Sequence, residues 1–156
     1  MIGRAHIAAE AIRHRPLIEA ALELEGSGLY TFRDVVDYLL AGRVHLWSDT
    51  EAAVVTCIHE MPRGKSCTIW LAGGDLDQCL AIEERIAEYA KEQGCKVIEI
   101  HGRPGWTRVL RARGYGPAKV SLCRRIDSAA AAEPLPRDRV TAPIEPAAAA
   151  PLTEEA

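Results

Sequence analysis

Glu99 and His101 stand two residues apart in the segment KVIEIHG, with Val97 before them and Arg103 beyond. In an extended strand, residues two apart point to one face. Val97, Glu99 and His101 therefore share a face. A carboxylate or an imidazole facing a substrate amine can take its proton as a general base. A parallel strand inside a sheet should be apolar on both faces, and Glu99 and His101 break that expectation. Together with Arg103 they could line a cleft where this strand splays from its neighbour. A buried ion pair or a solvated strand end fits the same residues. Glu99 and His101 are the candidate catalytic residues.

The chain turns basic immediately afterwards. Arg103, Arg108, Arg111, Arg113, Lys119, Arg124 and Arg125 follow with no acid before Ile126, although the net charge of the whole chain is −3. Such an end suits a phosphate-bearing ligand, nucleic acid or an acidic protein face, or a solvated surface that balances acidic helices elsewhere. No aromatic–basic interleaving, helix-turn-helix or zinc-finger spacing points to base reading. Upstream, AGGDLDQ places Gly73 and Gly74 in what reads as a flexible turn. Asp75 and Asp77 follow at a helix start, where carboxylates suit the helix dipole.

Cys57, Cys67, Cys79, Cys95 and Cys123 are odd in number and widely spaced. No Cys-x-x-Cys occurs, so neither a zinc knuckle nor a redox pair is implied, and no metal site is expected. Reduced core thiols are the expected reading. No apolar run is long enough for a membrane span, and MIGRAHIAAEAIRHRP lacks the pattern of an export signal. A cytoplasmic protein is the expectation.

These residues need a scaffold, and the pattern supplies one. A first helix is expected over Ile2–His14, restarting at Pro16 and stopping at Gly26. Thr31 and Asp34 form a capping-box pair for the next helix, which Gly42 ends. VHLW is a short strand. EAAVVTCIHE and KSCTIWLA flank the turn MPRG and should form a hairpin. Leu76, Cys79, Ile82, Ile86 and Ala90 recur at helical spacing, so an amphipathic helix should run from Leu76 to Gln93, closed by Gly94. KVIEIHG is a strand. Pro104 opens a short helix carrying Trp106, Val109 and Leu110 on one face, which Gly114 ends. A last alternating strand reaches Ile126. Trp47, Trp70 and Trp106 read as core anchors.

The order is α, α, β, β, β, α, β, α, β. Its β-α-β crossover requires parallel neighbours and its hairpin antiparallel ones, so a mixed α/β sheet with helices on both faces is expected. Residues 127–156 are dominated by alanine and proline and hold no aromatic residue. Such a segment cannot bury enough apolar surface to fold, so the folded domain should cover 1–126 and the rest should be a disordered tail.

The hairpin AAVVTCIHE and SCTIWLA, the helix-to-strand junction AEYAKEQGCKVIEI, and LRARGYG resemble the GNAT family of N-acetyltransferases over about residues 28–126. More narrowly, HLWSDTEAAVVTCIHEMPRGKSCTIWLAGGDLDQ with EIHGRPGWTRVLRARGY resembles small GNAT-like proteins of tailed bacteriophages and prophages. The resemblance implies acetyl-CoA as cofactor. Its pyrophosphate would lie on the loop after the hairpin, where glycines let backbone amides approach the phosphates. Gly73, Gly74, Arg103 and Arg108 are the candidate cofactor-binding residues. The family's Gln/Arg-x-x-Gly-x-Gly/Ala pattern falls with its key positions on Gly74, Asp77 and Cys79, and none matches. The tyrosine that protonates the departing thiolate in the family falls on Leu110, and its asparagine on Arg103. Tyr115 takes the position of a packing aromatic.

Three readings follow. The first is a phage- or prophage-type GNAT-fold protein with a degenerate acetyl-CoA site, acting through contacts with a structural or host protein as a virion or accessory protein. The second is an active N-acetyltransferase with a divergent phosphate loop. The third, carried by charge alone, is a nucleic-acid accessory protein.

Overall fold

A computed structural model describes residues 3–102 and 105–117. The expected last strand, the tail, the boundary near Ile126 and Arg103 lie outside the described residues. Three helices come first: α1 (Arg4–Arg13), α2 (Arg15–Glu25) and α3 (Phe32–Leu40). The expected order counted two. His14 is at once the C-cap of α1 and the N-cap of α2. Pro16 falls in the first turn of α2, where a missing N–H leaves no bond unmade, so α2 is a separate helix. Gly26 ends it in the left-handed conformation. The capping box of α3 forms as expected. Thr31 N–H donates to Asp34 Oδ2 at 2.7 Å, and Asp34 N–H donates to Thr31 Oγ1 at 3.4 Å.

The strands are β1 (His45–Ser48), β2 (Ala52–Met61), β3 (Gly64–Gly74) and β4 (Cys95–Ile100). They lie in sequence order in one sheet. β1, β2 and β3 are antiparallel neighbours. β4 runs parallel to β3. The crossover between them is α4 (Leu76–Glu92), two turns of which are seated by Ile82 and Ile86. A short helix α5 (Gly105–Leu110) and a 3₁₀ turn (Arg111–Arg113) follow, stopped by Gly114 at φ +87°. The mixed sheet expected from the sequence is the one observed.

Helices cover both faces. On one, Ala11, Ile18, Val35 and Leu39 of the first three helices bury Ala53, Val55 and Leu71. On the other, Cys79, Ile82, Ile86 and Ala90 of α4 bury Val54, Cys67 and Ile69. Ile82 and Ile86 are completely buried, and each such side chain contributes about 1.5–3 kcal/mol. The apolar stripe read from the sequence is therefore the real one, except at Leu76, which is exposed. Glu83 also lies on the buried face of α4.

Two irregularities shape the middle of the sheet. Val55 pairs with Leu71 and Thr56 with Ile69, so Trp70 is the extra residue of a bulge in β3. The bulge lets Trp70 and Leu71, neighbours in sequence, both pack toward the three N-terminal helices. In addition, β3 outruns β4. Their pairing ends at Ile69 with Ile100, extended only by the His101 amide donating to the Ile69 carbonyl. Trp70–Gly74 then has no β4 partner, which leaves a notch between the two parallel strands.

Candidate functional site

The candidate residues fall into two groups, the polar face of β4 and the segment at the end of β3 and the start of α4. Ile98 and Ile100 pack on the α4 side. Alternation turns Val97, Glu99 and His101 to the opposite face. Glu99 and His101 are half-buried there, and Val97 is exposed.

Register brings further polar groups to that face, which the sequence reading did not single out. Cys57, Thr68 and Glu99 stand side by side across β2, β3 and β4. His59, Ser66 and Val97 form the adjacent row. Cys57 Sγ is 3.2 Å from His59 Nε2. The Ser66 and Thr68 hydroxyls are buried and make no hydrogen bond with a described residue. The alternation in TCIHE and KSCTIWLA carried this signal, but only strand pairing could align the two rows with Glu99. Tyr30, Tyr38 and Trp70 form an aromatic wall near them, with Tyr30 edge-on to Trp70 at 4.9 Å. Burial raises the Tyr30 hydroxyl's pKa.

Protonation limits what the described thiols can do, Cys57 on this face and Cys67 and Cys79 on the α4 side. Burial pushes the Cys57 thiol up to about 11 and the Cys67 thiol to about 12, and it raises Cys79 as well. All three are neutral thiols near pH 7, hence poor nucleophiles. The described cysteines are free. Among the described residues, no group of three or more His, Cys, Asp or Glu side chains is placed to hold a metal ion. No described helix is long and apolar enough to cross a membrane.

The other group concerns the cofactor. Gly73 and Gly74 are not a flexible turn. Both lie in β3, paired with Ala53 and Ala52. The reason is close packing. A Cβ on Gly73 would come within 2.6 Å of the Leu17 carbonyl oxygen of α2. A Cβ on Gly74, at φ +106°, would overlap the Glu51 carbonyl. Glycine admits both approaches.

The start of α4 is tied to Glu51, just before β2. Asp75 caps it, its carboxylate accepting from Gln78 N–H at 3.0 Å. The Asp75 amide donates to the Glu51 carbonyl at 2.8 Å. Gln78 Oε1 accepts from Glu51 N–H at 2.8 Å. Asp77 adds a second carboxylate in the first turn. A pyrophosphate needs free amides and no competing anion. Here one amide is taken by Glu51, another by Asp75, and two carboxylates stand in the way. The residues present do not fit the phosphate group that the resemblance implies.

Beyond this point lies a small, partly open cavity of about 20 Å³ between the notch, α4 and α5. Ile69, Ala72, Ile100 and Leu110 wall it, and Trp106 stands across it. Leu110, where the resemblance puts an acid, is a buried apolar side chain. Trp106 packs its helix on the sheet, as expected of an anchor. Trp47 anchors the same side and donates from Nε1 to Thr56 Oγ1 at 2.9 Å. Arg108 is exposed on α5, two residues from Trp106 and so on another side of the helix.

Glu83 also lines the cavity, 6 % exposed, and is fully paired. Its Oε2 accepts from Arg113 at 2.8 Å and its Oε1 from the Tyr115 hydroxyl at 2.7 Å. Arg113 also reaches Glu84 at 2.9 Å. Burial, and then the bond to Glu83, raises the Tyr115 pKa; the bond to Glu83 raises that of Arg113. The sequence signal for Glu83 was a charge at helical spacing between Cys79 and Ile86.

No protein-family model matches this sequence, and no curated protein matches it significantly. Solved structures do share its architecture. A ribosomal-protein-alanine N-acetyltransferase from Brucella melitensis biovar Abortus 2308 superposes with a TM-score of 0.56 at 13 % identity, over 76 % of this chain and 95 % of that one. A glucosamine-6-phosphate N-acetyltransferase from Arabidopsis thaliana gives 0.54 at 14 % identity, over 76 % and 93 %. A possible acetyltransferase from Clostridium difficile 630 gives 0.53 at 12 % identity, over 81 % and 94 %. At these identities the likeness speaks for the fold alone: the chain has the fold of the GNAT acetyltransferases.

Proposed function

We propose that this chain is a GNAT-fold protein whose acetyl-CoA site is degenerate and which works through protein contacts. The observation that carries the reading is the start of α4, where the Asp75 carboxylate holds the Gln78 amide and Glu51 holds the Asp75 amide. Leu110, apolar where an acid would stand, supports it. The sequence resemblance to small phage and prophage proteins supports a virion or accessory role in the host cytoplasm, with a phage structural or host protein as partner. Leu29, 77 % exposed on the segment between α2 and α3, and half-exposed Tyr30 beside it offer apolar surface for such a contact.

The test is the melting temperature of the full chain with and without millimolar acetyl-CoA. No shift is expected. A ligand at a hundred times its dissociation constant adds about 2.7 kcal/mol, which is several degrees for a domain of this size. An upward shift of that order overturns the proposal.

The second reading, an active N-acetyltransferase using acetyl-CoA, is favoured by Glu99 and His101 on one face beside Thr68 and Cys57. It requires acetyl transfer to an amine that falls on Glu99→Gln or His101→Ala. The nucleic-acid reading rests on the basic stretch, and Arg113 in that stretch is already engaged by Glu83 and Glu84. It requires salt-dependent retention on DNA.

A further inference from the structure

We infer that Trp106 is a half-buried plug, on a segment fastened by Glu83, Arg113 and Tyr115, that keeps an aliphatic thioester arm out of the notch between β3 and β4. The inference rests on the proposed reading that this fold retains the notch but has lost its cofactor. It goes further by assigning the exclusion to one side chain, independently of the phosphate end.

The resemblance puts the pyrophosphate of acetyl-CoA at the start of α4 and the departing sulfur near Leu110. The arm joining them would run between those points. Cys79, one turn into α4, and Leu110 line the same cavity, so that cavity lies on the path. Its walls are apolar apart from Glu83, which Arg113 and Tyr115 pair, but its volume is only about 20 Å³. That is room for about one water molecule and no chain. The Trp106 side chain lines this space beside Ile100 and Ala72, each packed on the same apolar cluster.

Two features show that the position is built for this indole. A Cβ on Gly102 would lie 2.7 Å from Trp106 Cδ1, so residue 102 has no side chain where the ring passes. The segment that carries Trp106 is then tied to α4 at its far end. Arg113 bridges Glu83 and Glu84, and Tyr115 donates to the second oxygen of Glu83. The segment begins at Gly105, and Gly114 bends it at φ +87° between the two fastening residues Arg113 and Tyr115. Gly102 and Gly105 lie before the plug and Gly114 and Gly116 beyond it, so the connection is glycine-rich on both sides.

The experiment uses S-acetylpantetheine, which has the arm and the thioester but no pyrophosphate, so the carboxylates at the start of α4 do not bear on it. Binding to the full chain is followed by calorimetry for the wild type, Trp106→Ala, Trp106→Leu and Glu83→Gln. The wild type should take up none at millimolar concentration. Trp106→Ala should bind at least tenfold more tightly than the wild type. Trp106→Leu keeps apolar packing and serves where the alanine variant does not fold; it should bind more weakly than Trp106→Ala but above the wild type. Glu83→Gln loosens the fastening and should also gain binding.

A folded Trp106 variant that takes up no more than the wild type overturns the plug. Wild-type binding equal to that of the variants overturns it too. Acetyl-CoA binding by the wild type would instead sink the proposed function, and the plug would still stand if the Trp106 variants bound the pantetheine arm tenfold more tightly.

Discussion

Tyr115→Phe removes one hydroxyl and isolates one bond of the buried Glu83 cluster. In the folded chain that hydroxyl donates to Glu83 Oε1 at 2.7 Å, and the Glu83 side chain is 8 % exposed. Water cannot readily replace the lost donor. A hydrogen bond to a charged group contributes about 1.5–3 kcal/mol, and an unsatisfied buried acceptor costs about as much. Arg113 still neutralises the carboxylate, so the lower half of that range, about 1.5–2 kcal/mol, is expected. Removing Arg113 should cost more. Breaking a buried ion pair from one side costs about 3–5 kcal/mol. The Arg113 side chain is 28 % exposed, so screening brings the expectation for Arg113→Met to about 2–3 kcal/mol. Glu83→Leu with Arg113→Met replaces both charges by apolar groups and should recover most of that loss. Urea unfolding is the assay, with the midpoint falling at constant slope. If Tyr115→Phe changes stability by less than about 0.5 kcal/mol, the bond does not hold the segment, and the cluster is not a fastening.

Three other outcomes are expected. Gly74→Ala, forced to φ +106° and against the Glu51 carbonyl, should destabilise by more than about 1 kcal/mol in the same urea assay, whereas Gly42→Ala, at φ +70° with open space around it, should cost less. Thr31→Ala should cost about 1 kcal/mol by removing the N-cap of α3, read as lost helical signal at a lower melting temperature. Stability should fall as pH rises past about 9. Cys57 and Cys67 have folded pKa values raised to about 11 and about 12 from an unfolded value of 9.0, so the stability they contribute is whole below 9 and is lost as pH climbs toward those folded values. Each adds a slope of about 1.4 kcal/mol per pH unit while only the unfolded chain has ionised. Melting temperatures between pH 8 and 11 measure it, and a flat profile would contradict the burial of these thiols.

The fold was legible in local pattern. The stripe Cys79, Ile82, Ile86 and Ala90 dictates α4, because residues three and four apart share one face of any helix. Thr31 and Asp34 mark a helix start through bonds that span three residues. The hairpin and the crossover follow from turn chemistry and connection length, and these together specify a mixed sheet. The alternation that puts Glu99 and His101 on one face is equally local. The site was legible only in part, because its remaining features join residues distant in the chain. Gly73 and Gly74 read as a loose turn until Leu17 and Glu51 pack against their backbones. Thr68 and Cys57 stand beside Glu99 only through the register of three strands. Glu83 looks like any exposed helix charge until Arg113 and Tyr115, thirty and more residues later, close over it. Periodicity is a property of one segment, so the sequence by itself determined the elements and their order. Which side chain fills a notch depends on how segments meet, and only the tertiary structure decided that.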